Sequence, residues 1–169
     1  MTQPNEPRTA RTVGVAVVVL LTLVVAGLQI VRGRGHTEQA LDQAFGELAQ
    51  AEIAGGKPRQ SHVAEAHRLF AKAAAIVTLE PQALVGVAVT ENLQRHWGDP
   101  ITLAKDPTQC SDEELAGHLR GLLERGKVRQ AEQFLTVPFV VQRRGALGAL
   151  VPFTERWRAA QRQMAGEAR

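Results

Sequence analysis

Between Arg11 and Arg32 the chain runs for twenty residues, Thr12 to Val31, without one charged side chain. A helix of that length rises about 30 Å, the thickness of a bilayer's hydrocarbon core. A run apolar on every face needs lipid, or a far larger core than 169 residues supply, to cover it. Valine dominates it and is a poor helix former in water. In lipid that objection lapses, because a lone span satisfies its backbone hydrogen bonds only as a helix. Arg11 and Arg32 close the run, Arg34 follows, and such long basic side chains snorkel to the interface. The expectation is a short tail over 1–11 and a single transmembrane helix over 12–32.

Two other readings of the run compete with an anchor. A buried core helix would rarely be apolar all round in so small a protein. A cleaved signal peptide would use Val24-Val25-Ala26 as its small-residue cleavage site. The apolar run continues beyond that site through Leu28, Ile30 and Val31 to an abrupt Arg-Gly-Arg stop, which favours the anchor. Arg8 and Arg11 on one side nearly balance Arg32 and Arg34 on the other, so the positive-inside rule has little to act on. The usual signal-anchor arrangement would leave a short cytoplasmic N-terminus and an exported, periplasmic domain. Gly14, Thr22 and Ala26 share one face of the span, and small residues on one face let another helix approach closely. Other membrane protein subunits are the partners this implies.

After the span the charge is lopsided. His36 to Glu114 holds six Lys/Arg against twelve Asp/Glu; Leu115 to Arg169 holds ten against four. The chain divides on this basis into an acidic region, 33–109, and a basic one, 110–169. Nucleic acid is not expected as a partner, because the basic residues are not interleaved with aromatics and no binding motif accompanies them. A basic end near a membrane suits anionic lipid, an acidic protein surface, or the acidic half of its own chain. Arg143 and Arg144, and then Arg156, Trp157, Arg158 and Arg162 on an amphipathic helix, are the residues expected to form a partner or lipid surface.

The region beyond the span reads as all-α. Ala40, Leu41, Ala44, Phe45, Leu48 and Ala51 form an apolar helical stripe within Thr37 to Ala54. Gly55-Gly56-Lys57-Pro58 breaks the chain, and Ser61 is placed to cap a second helix carrying Val63, Ala66, Leu69, Phe70, Ala73, Ala74 and Val77. Pro81 suits a first helical position, with Ala83, Leu84, Val87, Ala88 and Leu93 as its apolar residues before Trp97 and Gly98. Ser111-Asp112-Glu113-Glu114 is a capping box opening a helix with Leu115, Leu119, Leu122 and Leu123. Gly126 turns the chain into Val128, Ala131, Phe134 and Leu135. A further segment starts at Thr136-Val137-Pro138 and ends before Pro152; a last helix runs from Thr154 to about Ala165, with Phe153, Trp157, Ala160 and Met164 on its apolar side.

Two stretches resemble tetratricopeptide-type helical hairpins. Ala66, Phe70 and Ala73 match that family's second helix; Leu122, Gly126 and Ala131 match its turn and the packing alanine that follows. The proline expected near 78 stands at 81, Pro138 occupies a position where the family has Ala, and the 34-residue period is absent. The resemblance covers about a third of the chain and implies a protein-interaction scaffold without catalytic residues.

No cofactor, metal or catalytic site is expected. His62 and His67 are five apart, the wrong spacing for two ligands on one helix face, and no His-Glu-x-x-His occurs. Glu113 and Glu114 are explained by the helix start, Ser61 and Ser111 by capping, and Gly145-Ala-Leu-Gly148 is not a phosphate loop. Cys110, the single cysteine, excludes an internal disulfide and any Cys-x-x-Cys haem or zinc site. The expected function is therefore a non-catalytic, single-pass accessory subunit or adaptor of a larger membrane complex. The alternatives are a membrane-tethered, tetratricopeptide-like chaperone or assembly factor, and an exported helical binding domain released by signal cleavage.

Overall fold

The computed structural model describes residues 33–76, 80–103 and 105–167. The run 12–31, its flanking Arg11 and Arg32, and the Gly14, Thr22, Ala26 face lie outside them. No helix among the described residues is long and apolar enough to cross a membrane. Every regular element among them is helical: α1 over 33–53, α2 Gly56–Ile76, α3 Pro81–His96, α4 Asp112–Leu123, α5 Val128–Phe134, α6 Pro138–Gln142 and α7 Leu150–Glu167. Short 3-10 turns occupy Pro107–Gln109 and Arg144–Leu147.

The stripe expected on α1 is the buried one: Ala40, Leu41, Ala44, Phe45, Leu48 and Ala51 are all inside. A two-residue break reverses the chain. Glu47 meets His62 near the elbow and Gly33 faces Ile76 at the far end, so α1 and α2 run antiparallel. Arg59 closes the elbow by donating from Nε to the carbonyls of Ala51 (3.1 Å) and Ala54 (3.0 Å), acceptors that a helix C-terminus leaves unpaired. The start expected at Ser61 is corrected: α2 begins at Gly56, because Lys57 and Pro58 fit the first turn, where no N–H is required, and Ser61 is an exposed mid-helix residue.

The apolar face of α3 also differs from expectation. Ala83, Gly86, Val89, Thr90 and Leu93 are buried, while Leu84 is 49% exposed and Val87 only half-buried. Gly86 is the reason. A Cβ built there would overlap the ring of Phe70, so the helix is seated by its smallest residue rather than its largest. Thr90 joins that face by donating its hydroxyl to Gly86 O at 2.7 Å. Having spent its one proton there, it accepts from His67 Nδ1 at 3.0 Å, which assigns the His67 proton to Nδ1.

The capping box at α4 forms as expected: Glu114 N–H donates to Ser111 Oγ (3.1 Å) and Ser111 N–H to Glu114 Oε2 (2.8 Å). Gly126 turns α4 into α5 at φ +68°, with a built Cβ only 2.9 Å from Trp97 Cε2, so both its conformation and its neighbour demand glycine. The segment expected between Pro138 and Pro152 breaks into α6 and a 3-10 turn, and α7 starts four residues earlier than expected, at Leu150. Pro152 does not end the preceding element. It lies in the first turn of α7, where its missing N–H costs nothing.

One hydrophobic core runs through both charge regions, from Ala40 in α1 to Trp157 in α7. Its centre is aromatic: Phe45 meets Phe70 (centroids 5.3 Å apart) and Phe153 (5.0 Å), and Phe153 meets Trp157 edge-on (6.1 Å). Such pairs contribute about 0.5–1.5 kcal/mol each beyond their buried area.

Two glycine substitutions test this packing with opposite signs. Gly86→Ala should destabilise the domain by about 1–3 kcal/mol through overpacking against Phe70. Gly46→Ala, mid-α1 with nothing within 4 Å of a built Cβ, should stabilise it by about 1 kcal/mol. Thermal unfolding of the two variants in detergent reads both; a stabilising Gly86→Ala would refute the α2–α3 contact.

Candidate functional site

The five arginines expected to form a partner or lipid surface are all engaged within the chain. Arg156 of α7 reaches α1, donating to Asp42 Oδ1 (2.7 Å) and Glu38 Oε2 (2.9 Å) with its guanidinium 5.4 Å from the Phe45 ring. Burial alone would lower the Arg156 pKa, but the hydrogen bonds to Asp42 and Glu38 outweigh it and the net shift is upward. Arg158 donates to Glu132 of α5 at 2.8 Å and to Gln161, and Arg162 pairs with the same carboxylate. The Arg158 hydrogen bond, working against burial, lowers the Glu132 pKa. Arg143 pairs with Asp112, donates to Cys110 O at 2.7 Å and covers Phe139; Arg144 donates to Glu155 at 2.9 Å. Arg34 lies exposed on α1.

Trp157 is a correction. It was expected on the surface with its arginine neighbours and is 0% exposed. At 100° per residue, Arg156 and Arg158 emerge on either side of it, one towards α1 and one towards α5, while Trp157 shares the inward face with Phe153. The amphipathic character of α7 is spent on the core.

With those charges satisfied, one apolar recess lies where no motif points. Ile101, on the connection between α3 and α4, packs on Gly121. Beside it opens a cleft of about 280 Å³ lined by Ile101, Leu103, Cys110, Gly117 and His118, with Lys105 and Glu114 at the mouth. That volume is below the range of sites for drug-sized molecules and suits one or two side chains. No sequence signal marks it, because its walls are a loop and a helix face that only the tertiary fold brings together.

Its polar groups are partnered within the fold. Lys105 Nζ donates to Glu114 Oε1 at 2.6 Å, so the cation and carboxylate at the rim satisfy each other. That hydrogen bond raises the lysine's pKa and, with the Ser111 N–H, lowers that of the glutamate. The Cys110 thiol is 5% exposed and directed at Asp106 O at 3.5 Å. His118 stands edge-on to Phe134 at 5.0 Å, and burial lowers its pKa from 6.5, which keeps it neutral at pH 7. Among the described residues no hydrogen bond joins Cys110 to His118, and no cluster of three His, Cys, Asp or Glu is placed to hold a metal.

Burial of neutral His118 has a sign. Its folded pKa lies below the unfolded value, so the unfolded chain binds the extra proton first and stability falls as pH drops below about 6.5. His118→Phe should flatten the part of the stability profile lying just below pH 6.5; an unchanged slope in pH-dependent unfolding would show that the histidine is not desolvated.

A scan against protein-family models and searches of curated proteins and of solved structures find no match to this chain.

Proposed function

We propose that the protein is a non-catalytic, single-pass membrane accessory subunit or adaptor whose helical domain offers a peripheral binding surface to another subunit. The observation that carries this reading is the uncharged run of twenty residues ending at Val31, two residues before the described part of α1. The Gly14, Thr22, Ala26 face of that run is the docking element in the bilayer. The cleft beside Ile101 and Leu103 is the docking element outside it, accepting an apolar side chain of the partner between Leu103 and His118. Support for a binding rather than a chemical role comes from the paired rim charges and the carbonyl-bound thiol.

Purified in mild detergent, the chain should carry stoichiometric partners. Gly117→Trp, on an exposed α4 position bordering the cleft, should reduce their recovery about tenfold, the effect of losing one modest hot spot. A monodisperse, partner-free monomer would overturn the reading.

A tetratricopeptide-like chaperone is the second reading. It draws on the antiparallel α1–α2 hairpin with Ala66, Phe70 and Ala73 buried, and on Ala131 buried behind the Gly126 turn. Substoichiometric, salt-sensitive capture of clients would favour it.

The domain is assigned to the exported side. Cys110 is too buried to report this, whereas Ile53 is 75% exposed. An Ile53→Cys variant should react with an impermeant maleimide in intact cells; labelling only after lysis would reverse the orientation.

A further inference from the structure

We infer that one pole of the helical domain, carrying Ile76, Pro81 and Leu84, rests on the bilayer surface beside the anchor. This rests on the reading of residues 12–31 as a span. Val31 ends the uncharged run and Gly33 follows two residues later, so no more than about 7 Å of chain separates them. The headgroup layer on one side of a bilayer is about 5–8 Å thick. Gly33 is therefore held within or at the edge of that layer however the intervening residue is arranged.

The fold brings specific residues to the same level. A Cβ built on Gly33 would lie 3.8 Å from Ile76 Cγ2, at the last residue of α2. Pro81 opens α3, which returns antiparallel to α2, and Leu84 stands one helical turn further on, about 4.5 Å along the axis. Ile76, Pro81 and Leu84 are all exposed, and two of the four large exposed hydrophobic side chains among the described residues fall on this pole. The charges around it have the sign a phosphate layer favours. Arg34, His36 and Lys72 are exposed, no ion pair within the described residues engages Arg34 or Lys72, and His36, Lys72 and Ile76 border one shallow groove between α1 and α2. Glu80, the one acid at this tip of α3, is the N-cap residue of that helix, where the dipole favours its charge. Apolar side chains flanked by cations are the composition of an interfacial contact. Ile53, at the other end of α1, is about 30 Å away along the axis and serves as the reference.

The test uses the full chain reconstituted into vesicles of phosphatidylcholine and phosphatidylglycerol, with and without bromine on the acyl chains. Leu84→Trp and Ile53→Trp place an indole at each pole over the same background of Trp97 and Trp157. The bromine-dependent loss of emission added at position 84 should exceed that added at 53 by about twofold or more, as for a side chain seated at the headgroup–acyl boundary. Lys72→Glu should reduce the position-84 quenching in the anionic vesicles. Equal quenching at both positions, with the chain still resistant to alkaline carbonate, would overturn the bilayer contact and leave the span standing. Release of the chain by carbonate would overturn both.

Discussion

Four of the chain's seven aromatic side chains converge on one point, and the rest of the domain is arranged around it. Phe45, Phe70 and Phe153 come from α1, α2 and α7, and Trp157 extends the cluster by one turn. With no tyrosine in the chain, the core is built from purely apolar rings and one indole. The same cluster decides where α3 lies, because Gly86 is the position on that helix with room for the Phe70 ring. A second, smaller focus forms where Trp97 is held between the Arg59 guanidinium, 4.7 Å from its ring, and Gly126. It couples the α1–α2 elbow to the α4–α5 turn, so the two hairpins are not independent units.

Charge in this protein is organised differently in space than along the chain. The acidic and basic regions meet at Arg156 with Glu38 and Asp42, and at Arg129 with Glu52. Arg143, Arg144, Arg158 and Arg162 instead find carboxylates within the basic region itself. Most of these pairs are exposed on at least one side and individually contribute no more than about 1 kcal/mol. Their effect is on recognition: arginines already bridged to carboxylates present a weaker field to an anionic partner than the linear count suggests.

Most local signals were legible, the Ser61 cap and the Pro152 stop excepted, and non-local ones were not. The α1 stripe, the Ser111–Glu114 box and the Gly126 turn all depend on residues within a few positions of each other, and each appears where the pattern places it. The α3 face was misjudged because hydrophobicity ranked Leu84 and Val87 above Gly86, whereas a ring sixteen residues earlier in sequence selected the glycine. The Trp157 assignment failed for a related reason: the apolar side of α7 was read correctly, but nothing local says whether core or lipid will cover it. The cleft was invisible because Ile101 and Leu103 precede α4 by a turn-rich stretch with no periodicity, and only the seating of Ile101 against Gly121 brings them beside Gly117 and His118. The polar-satisfied rim had a trace in sequence, since Glu114 is the capping-box residue, but its lysine partner nine positions earlier did not.

The lateral packing of α1 has a mechanical consequence. Its inward residues, Leu41, Ala44, Phe45 and Leu48, are spread along the helix and buried in the core, with Phe45 against Phe70 of α2 and Phe153 of α7. A tether held in a bilayer and pulled from the Gly33 end would draw α1 along its own axis. Every one of those contacts, and the Arg156 bridge to Glu38 and Asp42, would then be strained at once in shear, instead of opening one after another as a zipper. A domain loaded in this way would resist as one unit before it yields.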